Sequence, residues 1–327
     1  MDPVLPLPAR ALEKDAPVVH DKLNDQEAMI ANALVWGYAF GQKSFLNFCV
    51  DQLTEIEWNH TCWDELVLDL GVKQTVWALV MAHTQEREQF DDIVRGKGRG
   101  LVFALHGPAG VGKTLTAECV AESLRMPLMV VSSGELGPSI RDLDTNLAFF
   151  MDLAATWRAV LLIDEADVFL ERRSHSDLHR SAMVSVLLRM LEYYRGIMFL
   201  TTNRVKAIDG GFSSRIHVPI RYTDLTVDSR RQIWRNMCKR VPGGVHISDA
   251  GYDVLAKHEM NGRQIKNAVK AAESLAAFDG VKLDLEKVLK ITPLQDVFGK
   301  DLDTWSEIDY TAPGQAHKHD EVRNMYN

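Results

Sequence analysis

The sequence predicts an α/β chain: a doubly wound parallel sheet, followed by a small helical domain and preceded by a mainly helical, aromatic-rich region. Three observations predict it. Short apolar runs alternate with amphipathic stretches between Leu101 and Ile220, the rhythm of parallel strands joined by crossover helices. A glycine-rich loop, GPAGVGKT, joins the first run to the first amphipathic stretch. Strand signals then stop after Arg221.

Residues 1–24 are rich in proline and charge and read as a flexible leader. Residues 25–95 read as a helical, aromatic-rich and partial domain. Trp36, Tyr38, Phe40, Phe45, Phe48, Trp58, Trp63 and Trp77 crowd it, a density suited to a core or a docking face. Within 73–85, Val76, Leu79, Val80 and His83 fall at helical spacing. The stretch RGKGRG over 95–100 reads as a basic, flexible linker.

Residues 96–221 form the predicted α/β core. The run LVFAL over 101–105 suits a strand buried on both faces. A helix over 114–125 and a strand over 128–131 follow. Ile140, Leu143, Leu147, Phe150 and Ala154 then mark one helix face. Strands over 160–163, 197–200 and 216–220 complete the sheet, with a helix over 178–194 between the first two. Residues 222–292 read as all-helical. Thr226 caps the first helix, with Asp228 in its first turn, and the helix runs to Arg240. Further helices are predicted over 248–258, 262–278 and 284–290, before a polar tail over 293–327.

Composition narrows the function classes. The chain of 327 residues carries a net charge of −8, without the basic balance that drives nucleic-acid binding by counterion release. The helix bearing Arg230, Arg231, Arg235, Lys239 and Arg240 spreads its charges around its circumference and reads as a solvated face. Cys49, Cys62, Cys119 and Cys238 are scattered, as expected of free thiols in a reducing compartment. His175 and His179 have metal-ligand spacing, but no third ligand accompanies them, and His317 and His319 lie in the polar tail. No apolar run reaches membrane-spanning length, and MDPVLPLPAR lacks the basic end and apolar block of a secretory signal. An intracellular, soluble chain is expected.

The loop over 107–114 is a full match to the phosphate-binding pattern G-x-x-x-x-G-K-[ST]. Gly107, Gly110 and Gly112 let the loop curl around Pro108, which has no N–H to give, and turn the N–H groups of Ala109, Val111 and the glycines toward phosphate oxygens. The helix that follows, with Leu115 in its first turn, adds its N-terminal partial charge. Lys113 can reach the outer phosphates, and Thr114 can offer its hydroxyl to Mg²⁺. Further on, VLLIDE over 160–165 places two acids at the end of a buried strand. Asp164 can hold the metal's shell, beside the loop after the first strand, and Glu165 can polarise an attacking water.

GPAGVGKT, VLLIDEADVFLERR, FLTTN, FSSRI and NGRQIKN occur in the order found in AAA-type P-loop ATPases, which this chain resembles from about Val35 to Ala272. Its wording is most similar to a fungal group in which another domain precedes the ATPase core. The resemblance implies ATP with Mg²⁺, a C-terminal helical lid and a homo-oligomeric, hexameric ring. It implies that Asn203 is the sensor orienting the lytic water. It likewise implies that Arg215 is the finger reaching a neighbouring subunit's γ-phosphate, where the best-studied subgroup carries two arginines, and that Arg263 is the second sensor, contacting phosphates in its own subunit. Where many relatives carry an aromatic pore residue, this chain reads SSGELGPSI over 132–140. That departure argues against a pore gripping polypeptide through aromatic contacts. Two functions fit: an oligomeric ATPase that remodels a protein partner, or a nucleotide-gated binding module with incidental turnover. A DNA-handling role ranks behind both.

Overall fold

The computed structural model describes residues 29, 31–85, 100–170, 178–203 and 210–293. The leader, residues 95–99 of the linker, His175, and the tail from 294 onward lie outside the described residues. The chain forms two compact units, one ending at Glu57 and the other beginning at Trp58.

The first unit corrects the helical reading of its stretch. β1 (Leu34–Ala39) and β2 (Ser44–Cys49) pair antiparallel, with Tyr38 opposite Phe45. Trp36 and Tyr38 are two residues apart and share one face of the hairpin. Trp36 stacks on Phe45 with ring centroids 6.2 Å apart, and Tyr38 meets the same ring edge-on at 5.1 Å. Aromatics on a pleated surface stabilise such cross-strand pairs. Lys43 closes the turn in the left-handed region, at φ 52°.

In the second unit α1 (Cys62–Glu65) and α2 (Leu70–Thr84) meet the helical expectation. The Asp69 side chain caps α2 by accepting from the N–H groups of Gly71 and Val72. Val76 and Val80 are fully buried against the sheet, whereas Leu79 is 36% exposed, so the buried stripe is narrower than its spacing suggested.

The core then follows in order: β3 (Leu101–His106), α3 (Lys113–Leu124), β4 (Leu128–Ser132), α4 (Ser133–Leu136), α5 (Ile140–Thr156), β5 (Val160–Asp164), α6 (Asp167–Leu170), α7 (Leu178–Tyr193), β6 (Ile197–Thr202) and β7 (Val218–Arg221). The five strands are parallel, in the order β4–β5–β6–β3–β7. Phe103, Leu105, Leu162 and Phe199 pack with Val76, Val80, Ala117 and Val120 on one face. The Phe103 and Phe199 rings stack at 4.7 Å. The intervening Val102, Ala104, Leu161, Ile163, Met198 and Leu200 are buried as well. Both faces are therefore covered, which is why these strands read as unbroken apolar runs. β6 separates β3 from β5, so the strand next to β3 leads out at Asn203, while Asp164 comes from the following strand and still reaches the glycine-rich loop, at Thr114.

The remaining domain comprises α8 (Val227–Lys239), β8 (Val245–His246), α9 (Asp249–Ala256), α10 (Gly262–Phe278), β9 (Leu283–Asp284) and α11 over 285–293. The Thr226 hydroxyl caps α8, accepting from Ser229 N–H at 3.1 Å. The core of this domain gathers around the fully buried Trp234, with Leu255, Ile265, Ala268 and Ala272. A short parallel pair, β8 with β9, departs from the all-helical expectation. The arginines of α8 are engaged within the chain. Arg230 donates to the carbonyls of Leu225 and Ala256, Arg231 pairs with Asp253, Arg235 with Asp249, and Arg240 with Glu65. Among the described residues, no helix is long and apolar enough to cross a membrane.

Candidate active site

The loop over 107–112 turns the chain from β3 into α3 within six residues. Gly107 has φ 147°, and a Cβ there would collide with the Tyr222 carbonyl. At Gly110, φ 74°, a Cβ would lie 2.6 Å from the Asn261 side chain. These close approaches exclude any larger residue at either position. Gly112 then opens α3 from the left-handed region, leaving the helix's first N–H groups free for an anion.

Lys113 is buried at the mouth of this loop. Its Nζ donates to the carbonyls of Gly107 at 2.8 Å and Pro108 at 2.5 Å, and to Asn203 Oδ1 at 2.8 Å. Burial holds its pKa below the usual lysine value; Asp164 and Asp167 pull it back up, and Arg263 lowers it further. Thr114 Oγ1 donates to Asp164 Oδ1 at 3.1 Å, and the Thr201 hydroxyl donates to the same oxygen. Glu165 is exposed and sits in the left-handed region at φ 53°. Two bonds hold that turn: Glu165 N–H to Thr201 Oγ1 at 3.0 Å, and Ala166 N–H to the Thr201 carbonyl at 2.9 Å.

A cavity of about 350 Å³ runs past these groups, a volume within the range of small-ligand sites. Ala109 to Leu115, Asp164, Glu165, Asn203 and Arg263 line it. Leu66, Val67, Ile233 and Met237 line it too, beside Glu65, Asn236 and Arg240. A phosphate-type loop and apolar side chains in one cavity suit a polyanion that carries a flat hydrophobic base. A larger groove, of about 920 Å³, opens near Trp77, Arg158 and Arg195, where β5 and β6 begin. It has neither the phosphate loop nor the acids, so the smaller cavity is the candidate site.

The C-terminal helical domain seats directly on the loop. Gly262 N–H donates to the Gly110 carbonyl at 2.8 Å. Asn261 and Gln264 form a reciprocal capping box at the start of α10, at 3.0 and 2.7 Å. Arg263 is thereby presented to the cavity. The same domain is braced from the other side, where Asn236 Nδ2 donates to the Glu65 carbonyl at 2.8 Å and Arg240 pairs with Glu65.

Arg215 does not line the cavity. Its guanidinium lies on α7, donating to Glu192 Oε1 at 2.7 Å and to the Leu188 carbonyl at 3.1 Å. The stretch SSGELGPSI folds as α4 and its flanks, with Ser132 and Glu135 closing a capping box. His179 is exposed on α7.

Several site residues escaped the sequence reading. Thr201, Thr202 and Asp167 tie the strand ends together. Only the third acid of IDEAD, three residues after Asp164, hinted at Asp167. Glu118 also lines the cavity, and burial, then the Asp164 charge, raises its carboxyl pKa, with Lys266 opposing. Leu66, Val67, Ile233 and Met237 come from two distant segments, and no local pattern announces them.

Three histidines in this unit have lowered pKa values. Burial is the leading cause for each; His217 charge adds to the effect at His83, and Arg221 then Lys113 at His106. His217 Nδ1 also accepts from Val102 N–H at 3.0 Å, which requires that nitrogen to be unprotonated. As pH falls below about 6.5, the unfolded chain takes up protons before the folded one. The contribution of these groups to stability is thus present above that pH and lost on acidification. Thermal midpoints measured at pH 7.5 and 5.5 are expected to be lower at 5.5. His217→Gln should flatten part of that slope.

Residues 103–223 match the family model described as ATPase family associated with various cellular activities (AAA). The chain is 32% identical over 144 residues to ATPase family AAA domain-containing protein 3B of Homo sapiens, covering 42% of this chain and 22% of that protein. It is 29% identical over 145 residues to the Drosophila melanogaster ATPase family AAA domain-containing protein 3A homolog, covering 42% and 24%. A putative 26S proteasome regulatory subunit homolog of Methanothermobacter marburgensis is 29% identical over 201 residues, covering 58% and 52%. The chain thus spans under two thirds of each relative. The crystal structure of the FIGL-1 AAA domain in complex with ADP superposes with a TM-score of 0.56 at 17% identity, over 76% of this chain and 91% of that one. That likeness speaks to the fold. Sequence match, parallel sheet and phosphate loop agree on one conclusion: residues 103–223 are an AAA-type ATPase domain.

Proposed function

We propose that this chain is a Mg²⁺-dependent ATPase that acts as a homo-oligomer, a hexameric ring by analogy with its family, and couples hydrolysis to remodelling of a protein partner. The observation that carries the reading is the bonded cluster at the loop. Lys113 meets Asn203, and Thr114 meets Asp164, in one cavity.

Each residue has a part. The N–H groups of the loop and of α3 face the phosphates. Lys113 leaves its loop carbonyls for the outer phosphates, a transfer favoured by exchanging neutral acceptors for anionic ones. Asn203 orients the attacking water, and Glu165 draws off its proton. Arg263 steadies the phosphates from the lid. Thr114 Oγ1 and Asp164 Oδ1, 3.1 Å apart, are oxygen donors suited to a hard cation. Thr114 and Asp164 would hold Mg²⁺, which would supply positive charge beside the phosphates. Leu66, Val67, Ile233 and Met237 sandwich the base.

Arg215 supports assembly. It is absent from its own cavity, as expected of a group that serves a neighbour. The buried free thiols suit an intracellular, reducing compartment. The fungal wording of the motifs suggests that a further domain works with this core. Measuring ATPase rate against protein concentration tests the assembly claim. The rate per subunit should fall on dilution toward nanomolar; a flat rate would rule out a shared site.

A further inference from the structure

Asp167 opens α6, three residues beyond Asp164. Its Oδ1 takes two bonds from the end of β6: one from the buried Thr202 hydroxyl, and one from Asn203 N–H at 3.1 Å. Successive residues of a strand point to opposite faces. Thr201 therefore serves Asp164 and the Glu165 backbone, while Thr202 serves Asp167. Asn203 follows at once, and its Oδ1 accepts from Lys113 at 2.8 Å. The chain leaves regular structure at this residue. Its backbone donor has no ladder partner there, and Asp167 supplies one.

We propose that Asp167 is a positioning residue for hydrolysis: it fixes the strand exit that aims Asn203 at the loop. The inference rests on the ATPase reading and assigns within it a role to an acid that does not line the cavity. A group that orients a reactant must be held to about 0.5 Å, and a misplacement of about 1 Å can cost about 10²-fold in rate. Without Asp167, Asn203 keeps its side chain and loses its bearing. Lys113 and the loop keep their other contacts, so binding and turnover should separate.

The test uses the full chain with Asp167→Ala, Asp167→Asn and Thr202→Val, and measures kcat, ATP affinity by equilibrium titration, and thermal midpoint. Asp167→Ala is expected to lower kcat about 30- to 100-fold, with ATP affinity within about threefold. Asp167→Asn keeps an acceptor oxygen at the same place, and should restore kcat to within about fivefold of the natural chain. Thr202→Val, which keeps shape and removes one donor, should fall between them, and it carries the test if Asp167→Ala does not fold. An unchanged kcat in Asp167→Ala overturns the inference, as does a loss of affinity as large as the loss of rate. So does an Asp167→Asn variant as slow as the alanine. Glu165→Gln separates the two layers. If it too retains full turnover, the ATPase reading fails; if it stops turnover while Asp167→Ala is normal, only the positioning role fails.

Discussion

Glu165→Gln is expected to lower kcat by about 10²–10⁴-fold while ATP affinity stays within about threefold. The amide keeps the size and some hydrogen-bonding ability of the carboxylate and cannot accept the proton of an attacking water. Lys113, Thr114 and the loop, which hold the nucleotide in the proposed mechanism, are untouched. A fluorescent-nucleotide titration beside a phosphate-release assay separates binding from turnover. The same variant divides the two functions weighed from the sequence. Partner remodelling that survives without turnover would favour a nucleotide-gated switch over a motor. The backbone adds a second handle. Glu165 holds a left-handed conformation that costs about 1–2 kcal/mol for a residue with a Cβ. Glu165→Gly should therefore be as inactive as the glutamine and no less stable, with a thermal midpoint equal to or above that of the natural chain.

Arg215→Ala is expected to lower turnover per subunit by about 10³-fold or more, with ATP affinity unchanged. Here the local ion pair supplies the control. Arg215 pairs with Glu192 at 2.7 Å, both side chains about a quarter exposed, so its loss can also disturb α7. Glu192→Ala breaks the same pair from the other side. If the pair is only structural, both variants lose thermal stability and rate together. If Arg215 reaches across a boundary, Glu192→Ala keeps most of its turnover and Arg215→Ala does not. Mixing supplies a sharper reading. Subunits with Arg215→Ala retain Glu165, and subunits with Glu165→Gln retain Arg215. Two inactive preparations should regain activity together, and continued silence at high concentration would exclude a finger acting between subunits.

What could be read from the sequence follows the range of the interactions involved. The phosphate loop was legible because its constraints are contiguous: Gly107, Gly110 and Gly112 bend one turn, and Lys113 and Thr114 open one helix. Asp164 and Glu165 were legible because a buried strand delivers them. Thr201 and Thr202 were not, since their partners lie 37 and 35 residues away, and a strand-end threonine has many uses. The apolar part of the lining failed for the same reason, since Val67 and Met237 come to one cavity from segments 170 residues apart. The hairpin at Leu34–Cys49 was misread for a different cause. Trp36, Tyr38 and Phe40 alternate with a period of two, and the density of aromatics, taken without that alternation, resembled a helical core. Leu79 marks the limit of helical spacing, which names a face without saying how much of it a neighbour covers.

The bond from Gly262 N–H to the Gly110 carbonyl has a mechanical meaning. It fastens the first turn of a rigid 17-residue rod to the segment that curls around phosphate. A rod pivoting at its tip magnifies displacement. A shift of about 0.5 Å across the first turn, about 5 Å long, tilts the helix enough to move Phe278, about 25 Å away, by about 2 Å. Loop and lid therefore share one degree of freedom, and the far end of α10 serves as the pointer on which the state of the loop is displayed.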